Sequence, residues 1–299
     1  MKEILGAFKK LLDARALWIF IFLLKALFAL AFILPFYLLT DSLLSSSVYS
    51  RRILADWDIS VLIELFSGRM ELIPTFLLFG FIAGLVFLII MQFLNGGIYY
   101  LAISGKIKSI RWSEFFAECV SNFKAHMMVT GMMMIIYLVI AIAGLFFVNI
   151  IGLAGGKLVG NAAMTMAAAK AMLLLLIFLT TSIFSDSARA AITTKPGQSF
   201  RENLKNAADF FRPNMIRLIR CYLITYTSFL CVWLITEWLG LRSVEMLGSI
   251  VGILLEFILF QICSFVRSGQ KLWYLFIFGV RFRAVNPGRF LPEQAELDL

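Results

Sequence analysis

The chain has 299 residues, of which 61% are apolar and only 15% charged, and its formal net charge is +9. A soluble globular protein has about 45–50% apolar and about 25% charged residues, so this composition excludes a soluble enzyme, a disordered chain, a coiled coil and a secreted disulfide scaffold. The class that remains is an all-α, polytopic integral membrane protein. A nucleic-acid partner is not expected, because the basic residues do not form a soluble module.

Apolar stretches long enough to cross a bilayer, which takes about 20 helical residues, occur six times. They lie near residues 16–40, 73–103, 127–151, 162–184, 215–239 and 247–266. The first is longer than the apolar region of a signal peptide, so we expect it to remain in place as a signal anchor. A seventh apolar stretch, 272–280, is too short to cross, and we expect it to lie along the membrane surface.

A segment with apolar residues on one helical face precedes the first, third and fifth spans. The three copies are 108 and 88 residues apart, and we expect each to be an amphipathic helix lying in the cytoplasmic interface. The apolar positions are Ile4, Phe8, Leu11 and Leu12; Trp112, Phe116, Cys119, Val120 and Phe123; and Phe200, Leu204, Ala207, Ala208 and Phe211.

These copies predict six transmembrane helices arranged as three hairpins in a single transmembrane domain, 1–299. Its degenerate repeats span about 1–108, 109–196 and 197–285, and a short polar tail follows at 286–299. The second span of each hairpin carries small residues four positions apart, which let helix backbones approach closely. These are Gly80 and Gly84, Ala163 and Ala167, and Gly248 and Gly252.

The basic residues predict the orientation. With the N-terminus inside, 20 of the 27 Lys and Arg lie in cytoplasmic segments and 5 in outer loops, a bias that places both termini in the cytoplasm. We expect a bacterial-type cytoplasmic membrane, with membrane lipids as partners and anionic lipids on the inner face. The sequence Arg281-Phe282-Arg283 forms a basic-aromatic cluster suited to lipid contact.

Among ionisable residues within spans, where charge is expensive, we single out Lys25, Lys170 and Glu256. Lys25 and Glu256 are each roughly 13 Å deep at 1.5 Å per residue. If the three hairpins close into a ring, the first and sixth spans are neighbours, so we predict that Lys25 and Glu256 face each other as an intramembrane polar pair. The pair serves as structural glue or as part of a substrate or proton pathway, unless Lys25 snorkels inward. Snorkelling is the interpretation we favour for Lys170.

Several stretches together resemble a broad set of uncharacterised bacterial six-span proteins, similar in layout to the membrane domain of some glycerophosphodiester phosphodiesterases. The resemblance rests on 16–39 (ALWIFIFLLKALFALAFILPFYLL), 95–106 (NGGIYYLAISGK), 112–123 (WSEFFAECVSNF) and 185–214 (SDSARAAITTKPGQSFRENLKNAADFFRPN). It implies a six-helix bundle in an inner membrane and no established chemistry, and this chain carries no phosphodiesterase domain.

Asp186-x-x-Arg189 is the most distinctive motif of this resemblance. At a spacing of i, i+3 the two side chains share a helical face and can pair where the fourth span ends. One interpretation is an elbow that fixes the turn into the next surface helix. The other is a lipid-headgroup pair, because Arg binds phosphate in a bidentate way.

No catalytic constellation is found, so we expect no enzyme, no cofactor and no metal site. The single histidine, His126, is interpreted as an interfacial side chain, and the four cysteines as small buried hydrophobes. The function we favour is transport or handling of a lipid or small amphiphilic solute. The alternative is a membrane-anchored assembly or accessory protein that docks a partner protein through its cytoplasmic amphipathic helices.

Overall fold

The computed structural model describes residues 2–44, 72–107, 110–154, 161–247, 249–286 and 290. Within these ranges every secondary-structure element is an α-helix, which confirms the all-α class. The helices are α1 (Lys2–Asp13), α2 (Arg15–Leu44), α3 (Leu72–Ser104), α4 (Trp112–Ala154), α5 (Asn161–Thr194), α6 (Phe200–Leu247) and α7 (Ser249–Val285).

Five of these helices are long and apolar enough to cross a membrane, as expected of an α-helical membrane protein. The qualifying stretches of α2 to α6 are Arg15–Leu34, Leu77–Ser104, Trp112–Gly144, Ala171–Thr194 and Phe200–Arg242. Within the described residues, helix α7 is not among them. The sixth span and the three-hairpin arrangement therefore stay predictions.

Two of the expected amphipathic helices are continuous with the spans that follow them. Helix α4 runs unbroken from Trp112 and α6 from Phe200, and α6 continues through Pro213. A capping box starts α6, since the Ser199 amide donates to the Glu202 carboxylate and the Glu202 amide to the Ser199 hydroxyl. Only α1 is a separate helix, ended before Ala14, which is fully buried.

The described residues fall into two compact units. The smaller lies within residues 19–91, and the main unit combines residues up to 18 with those from 92 onward. In the smaller unit, ring contacts join α2 to α3: Phe28 with Phe87 at 5.4 Å and Phe32 with Phe79 at 5.7 Å between centroids.

The main unit has its core where helices end, not along the spans. The C-terminal stretches 94–104 of α3, 183–194 of α5 and 268–282 of α7 are buried on nearly all sides, and we call them the helix-end core. By contrast, in an 18-residue apolar part of each candidate span, between 11% and 33% of the residues are buried. The apolar surface of the spans is thus left facing outward, as a membrane solvent allows.

The stretch 272–280, predicted to lie along the membrane surface, is instead central to the helix-end core. Leu272, Tyr274, Phe276 and Phe278 are each exposed by 2% or less. The prediction was wrong because it used length alone, whereas this part of α7 is apolar on every face, a pattern typical of a buried helix.

The Arg281-Phe282-Arg283 cluster also contacts protein, contrary to the expectation of lipid contact. Phe282 is fully buried and packs on Phe210 at 4.7 Å between ring centroids. Arg281 pairs with Glu3 at 2.6 Å, and Arg283 donates to the Ser104 carbonyl at 2.9 Å. The C-terminal part of α7 is therefore tied to α1 and α3.

The small-residue pairs give a mixed result. No described atom lies within 4 Å of a Cβ built at Gly84, and at Gly80 the nearest is the Phe32 ring at 3.6 Å. The predicted close approach is thus not formed there within the described chain, because this face of α3 is turned outward. Gly252 is buried, while the side chains of Ala163 and Ala167 and all of Gly248 lie outside the described residues.

The close backbone approaches occur at glycines near the helix-end core. A Cβ at Gly97 would lie 2.5 Å from the Phe115 ring, and one at Gly96 would lie 2.8 Å from the Glu118 carbonyl oxygen. A Cβ at Gly279 would lie 2.5 Å from the Ala102 carbonyl carbon. These glycines let α4 and α7 pack directly on α3.

In the amphipathic segments, the buried face is rotated about the helix axis relative to the predicted apolar positions. Leu11, Cys119 and Ala207 of the prediction are buried, but Phe8, Leu12, Phe116 and Val120 are exposed. The face that packs on protein recurs with the same spacings of 108 and 88 residues in all three segments. It consists of Ala7, Leu11 and Ala14; Phe115, Cys119 and Asn122; and Asn203, Ala207 and Phe210.

Candidate functional site

A buried carboxylate, that of Asp186 near the end of α5, lies in the helix-end core. The side chain of Asp186 is 2% exposed. The Tyr99 hydroxyl donates to its Oδ1 atom, and the Lys271 amine donates to its Oδ2 atom at 2.8 Å. Arg189 completes the group with a guanidinium nitrogen 3.7 Å from Oδ1. We call Tyr99, Asp186, Arg189 and Lys271 the Asp186 cluster; it joins α3, α5 and α7.

The cluster extends onto α4 through Arg189. Its second guanidinium nitrogen donates to the Thr130 hydroxyl at 3.2 Å, and that hydroxyl donates to the His126 carbonyl at 3.0 Å. The His126 ring lies 3.2 Å from the Thr193 hydroxyl and edge-on to the Tyr99 ring. Four helices therefore meet around one polar network.

His126 was interpreted as an interfacial side chain, and the structure buries it completely. It follows Cys119 and Asn122 on the face of α4 that packs on protein. Its Nε2 atom contacts the Thr193 hydroxyl and ties the ring into the network, while its buried Nδ1 atom has no hydrogen-bond partner among the described protein atoms.

The cluster holds two cations and one anion. Arg189 is 13% exposed and lies beside the buried carboxylate, whereas the Lys271 side chain is 44% exposed. Asp186 contacts both cations, so the cluster holds one more positive than negative charge, and the Lys271 amine is the more exposed of its two cations.

Aromatic rings lie beside two cations of α7. The Lys271 amine lies 5.3 Å from the centre of the Tyr274 ring, and one turn earlier Arg267 lies 5.8 Å from that of Phe229. Tyr222 of α6 packs edge-on against Tyr274 at 5.1 Å. We call Arg267, Lys271, Tyr222 and Phe229 the basic-aromatic face.

Tyr274 supplies a polar group beneath this face. Its hydroxyl is buried and has no hydrogen-bond partner among the described protein atoms. Burial, followed by the nearby negative charge of Asp186, raises the pKa of Tyr274 well above its usual value. The hydroxyl therefore stays protonated and keeps a hydrogen to donate.

The predicted ion pair between Asp186 and Arg189 is present, but the sequence analysis missed its partners Tyr99 and Lys271. Lys271 had been counted only toward the charge bias. A usable signal was its position directly before the apolar stretch 272–280, because a lysine at such an edge needs a partner or a route to water.

The predicted pair of Lys25 and Glu256 is not tested, because the two residues belong to different units. Both side chains are half-buried. Within the main unit, Glu256 of α7 packs against α6, with its Cγ atom 3.3 Å from a Cβ built at Gly240. Glu237, which was not singled out from the sequence, is an acid one turn before Gly240 and has one buried carboxylate oxygen. The Lys170 side chain lies outside the described residues.

The cysteines partly follow expectation. Cys119, Cys221 and Cys263 are buried, as predicted, while Cys231 of α6 is exposed. In the described ranges, His, Cys, Asp and Glu side chains form no group of three that could hold a metal ion.

Comparisons with known proteins leave the site to be interpreted from its own geometry. Searches of protein-family models, of curated proteins and of solved structures find no match for this chain.

Proposed function

We propose that this chain is a six-span integral protein of a bacterial-type cytoplasmic membrane that binds and handles a lipid or small amphiphilic solute with an anionic group, in transport or its support. The observation that carries the proposal is the Lys271 side chain, which is 44% exposed and pairs with the buried Asp186 carboxylate in a cluster that holds one more cation than anion. A binding role is favoured over catalysis, and resemblance to the uncharacterised six-span proteins is part of the same proposal.

The chemistry of the basic-aromatic face suits such a ligand. Lysine and arginine one helical turn apart can bind the same phosphate or carboxylate group, and an arginine does so with a planar pair of donors. Aromatic rings with polar tips are typical of the level at which headgroups meet acyl chains. The outward-facing apolar surface of the neighbouring spans would accept the tails of an amphiphile.

Three observations support the finer arrangement we propose, with cytoplasmic termini, six spans and three repeats. The bias of Lys and Arg sets the orientation. The protein-facing positions of α1, α4 and α6 recur with spacings of 108 and 88 residues. Finally, α3, α5 and α7 each end in the helix-end core, as the second helices of three hairpins would.

The proposal is tested by lipid movement in proteoliposomes. The full chain is reconstituted with a trace of phosphatidylglycerol or phosphatidylcholine bearing a fluorescent headgroup or chain label, and dithionite reports the fraction that has crossed. We expect faster movement of the anionic lipid, lowered at least tenfold by Lys271→Met and unchanged by Lys205→Met, a matched exposed lysine of α6. Equal rates in vesicles with and without protein would refute lipid movement as the function.

A second candidate function, docking of a partner protein, is favoured by one observation. Helices α1 and α4 leave apolar side chains exposed beside the face that packs on protein: Leu5, Phe8 and Leu12, and Trp112, Phe116 and Val120. A variant that keeps Trp112 as its only tryptophan shows whether membrane lipid or a partner protein covers this apolar surface. Quenching by brominated phospholipids indicates membrane contact, while absence of quenching favours a partner protein.

A further inference from the structure

We propose that Asp186 is an internal occupant of the anion site: its carboxylate holds Lys271 when no ligand is bound, and the phosphate group of a lipid or solute takes its place. This inference rests on the function proposed above and names the ligand class and how the site is regulated. The ligand chemistry is a phosphate with at least one free anionic oxygen.

The geometry assigns different tasks to the two oxygens of Asp186. Oδ1 accepts from Tyr99 and lies 3.7 Å from Arg189, whereas Oδ2 accepts from Lys271 at 2.8 Å. Tyr99 is buried and Arg189 nearly so, while Lys271 is 44% exposed. Lys271 is thus the one member of the Asp186 cluster that reaches a ligand approaching from outside.

Release of Lys271 would not leave an unpaired buried charge. Asp186 would keep the hydrogen bond from Tyr99 and the positive charge of Arg189. Stripping a buried carboxylate of every partner is strongly unfavourable, but exchanging one of three is tolerable. The Asp186 cluster can therefore exist with Lys271 turned inward, on Asp186, or outward, on a ligand.

The outward position offers what a phosphate requires. Lys271 supplies a point charge with three donors, and Arg267 one turn away supplies a forked donor set. Both are on α7 beside the rings of Phe229 and Tyr274. Because Lys271 must leave Asp186, the carboxylate weakens ligand binding, and removing its charge should strengthen it.

That direction separates the proposal from a merely structural role for Asp186. The full chain in dodecyl maltoside is titrated with dioleoyl phosphatidic acid, with inorganic phosphate and with dioleoylglycerol, which has the same chains and no phosphate, and binding is read by native mass spectrometry. We expect the wild type to bind phosphatidic acid and not dioleoylglycerol. Asp186→Asn should bind phosphatidic acid at least tenfold more tightly, and Lys271→Met at least tenfold more weakly. If the two variants change the binding of inorganic phosphate equally, the ligand is a free phosphate. If only the lipid binds, the ligand is a lipid headgroup.

A second variant keeps the proposal refutable if Asp186→Asn does not fold. Tyr99→Phe removes one donor from Asp186, so the carboxylate should hold Lys271 more strongly and weaken phosphatidic acid binding several-fold. Suppose that the wild type binds phosphatidic acid. If Asp186→Asn then binds it no more tightly, or Tyr99→Phe binds it no more weakly, the internal-occupant inference is overturned and the proposed function stands. No binding of either phosphate compound by the wild type would overturn both.

Discussion

Gly279→Ala is predicted to destabilise the main unit, because α7 crosses α3 at this glycine with no room for a side chain. A Cβ here would lie 2.5 Å from the Ala102 carbonyl carbon, closer still to its oxygen, and 3.1 Å from the Ile103 nitrogen. Favourable carbon contacts need about 3.5–4.0 Å. All three obstructing atoms are backbone, so relief requires a shift of one helix against the other by roughly 1 Å.

The size of the effect follows from two opposing contributions. Overpacking a well-packed core costs about 1–3 kcal/mol, and a backbone obstruction puts Gly279→Ala near the upper end. Replacing glycine by alanine within a helix returns about 0.5–1 kcal/mol. We therefore expect a net loss of about 2 kcal/mol in the free energy of unfolding, roughly a 30-fold change in the equilibrium constant.

Gly131→Ala is the matched control, since Gly131 also lies inside a helix of the main unit and no described atom is within 4 Å of a Cβ built there. It should be neutral or slightly stabilising. The assay is equilibrium unfolding of both variants by sodium dodecyl sulfate in mixed micelles, followed by circular dichroism. If Gly279→Ala were as stable as the wild type, or Gly131→Ala equally damaged, the packing of α7 on α3 described above would be refuted.

Three further predictions concern accessibility and pairing. In detergent, a maleimide should label Cys231 while the three other cysteines, which are buried, react only after unfolding; labelling of all four in the folded protein would contradict this. Trp273→Phe removes the 3.0 Å hydrogen bond to the Ile4 carbonyl and should speed amide hydrogen exchange in α1 by several-fold, with unchanged exchange counting against docking of α1 on α7. Glu256→Gln should lower stability and Lys25→Met should partly restore it, and a double-mutant cycle without coupling would argue against the predicted pair.

Sequence reasoning identified the local half of the Asp186 cluster and missed the rest for a physical reason. Asp186 and Arg189 share a face of α5 by helical geometry alone, and the structure has them 3.7 Å apart. Tyr99 and Lys271 come from positions 87 and 85 residues away. Only the packing of α3 and α7 brings them to the carboxylate, and no periodicity within one segment encodes that packing.

The amphipathic segments show a similar limit. Their periodicity predicted helices at the right places, with the same spacing that the structure displays. Yet each has a broad apolar arc, and its sequence does not reveal which edge meets protein. In α4, Phe115 and Cys119 are buried against protein, while Phe116 and Val120 stay exposed. That choice depends on the small residues of the opposing helix, such as Gly97, whose absent side chain admits the Phe115 ring.

The location of the core also governs what each buried charge costs. Asp186 lies where three helix ends converge, so donors from α3, α5 and α7 reach one carboxylate, and Lys271 connects it to the exterior. Glu256 lies within an apolar stretch of α7, flanked by exposed Leu255 and Phe257. In the sixth span that we propose, a carboxylate in such surroundings would have few polar partners, so losing one would leave much of the cost of an intramembrane charge. The Asp186 carboxylate has several partners, so it can release one of them and bind it again. That difference is why we assign ligand exchange to the helix ends and not to the middle of the spans.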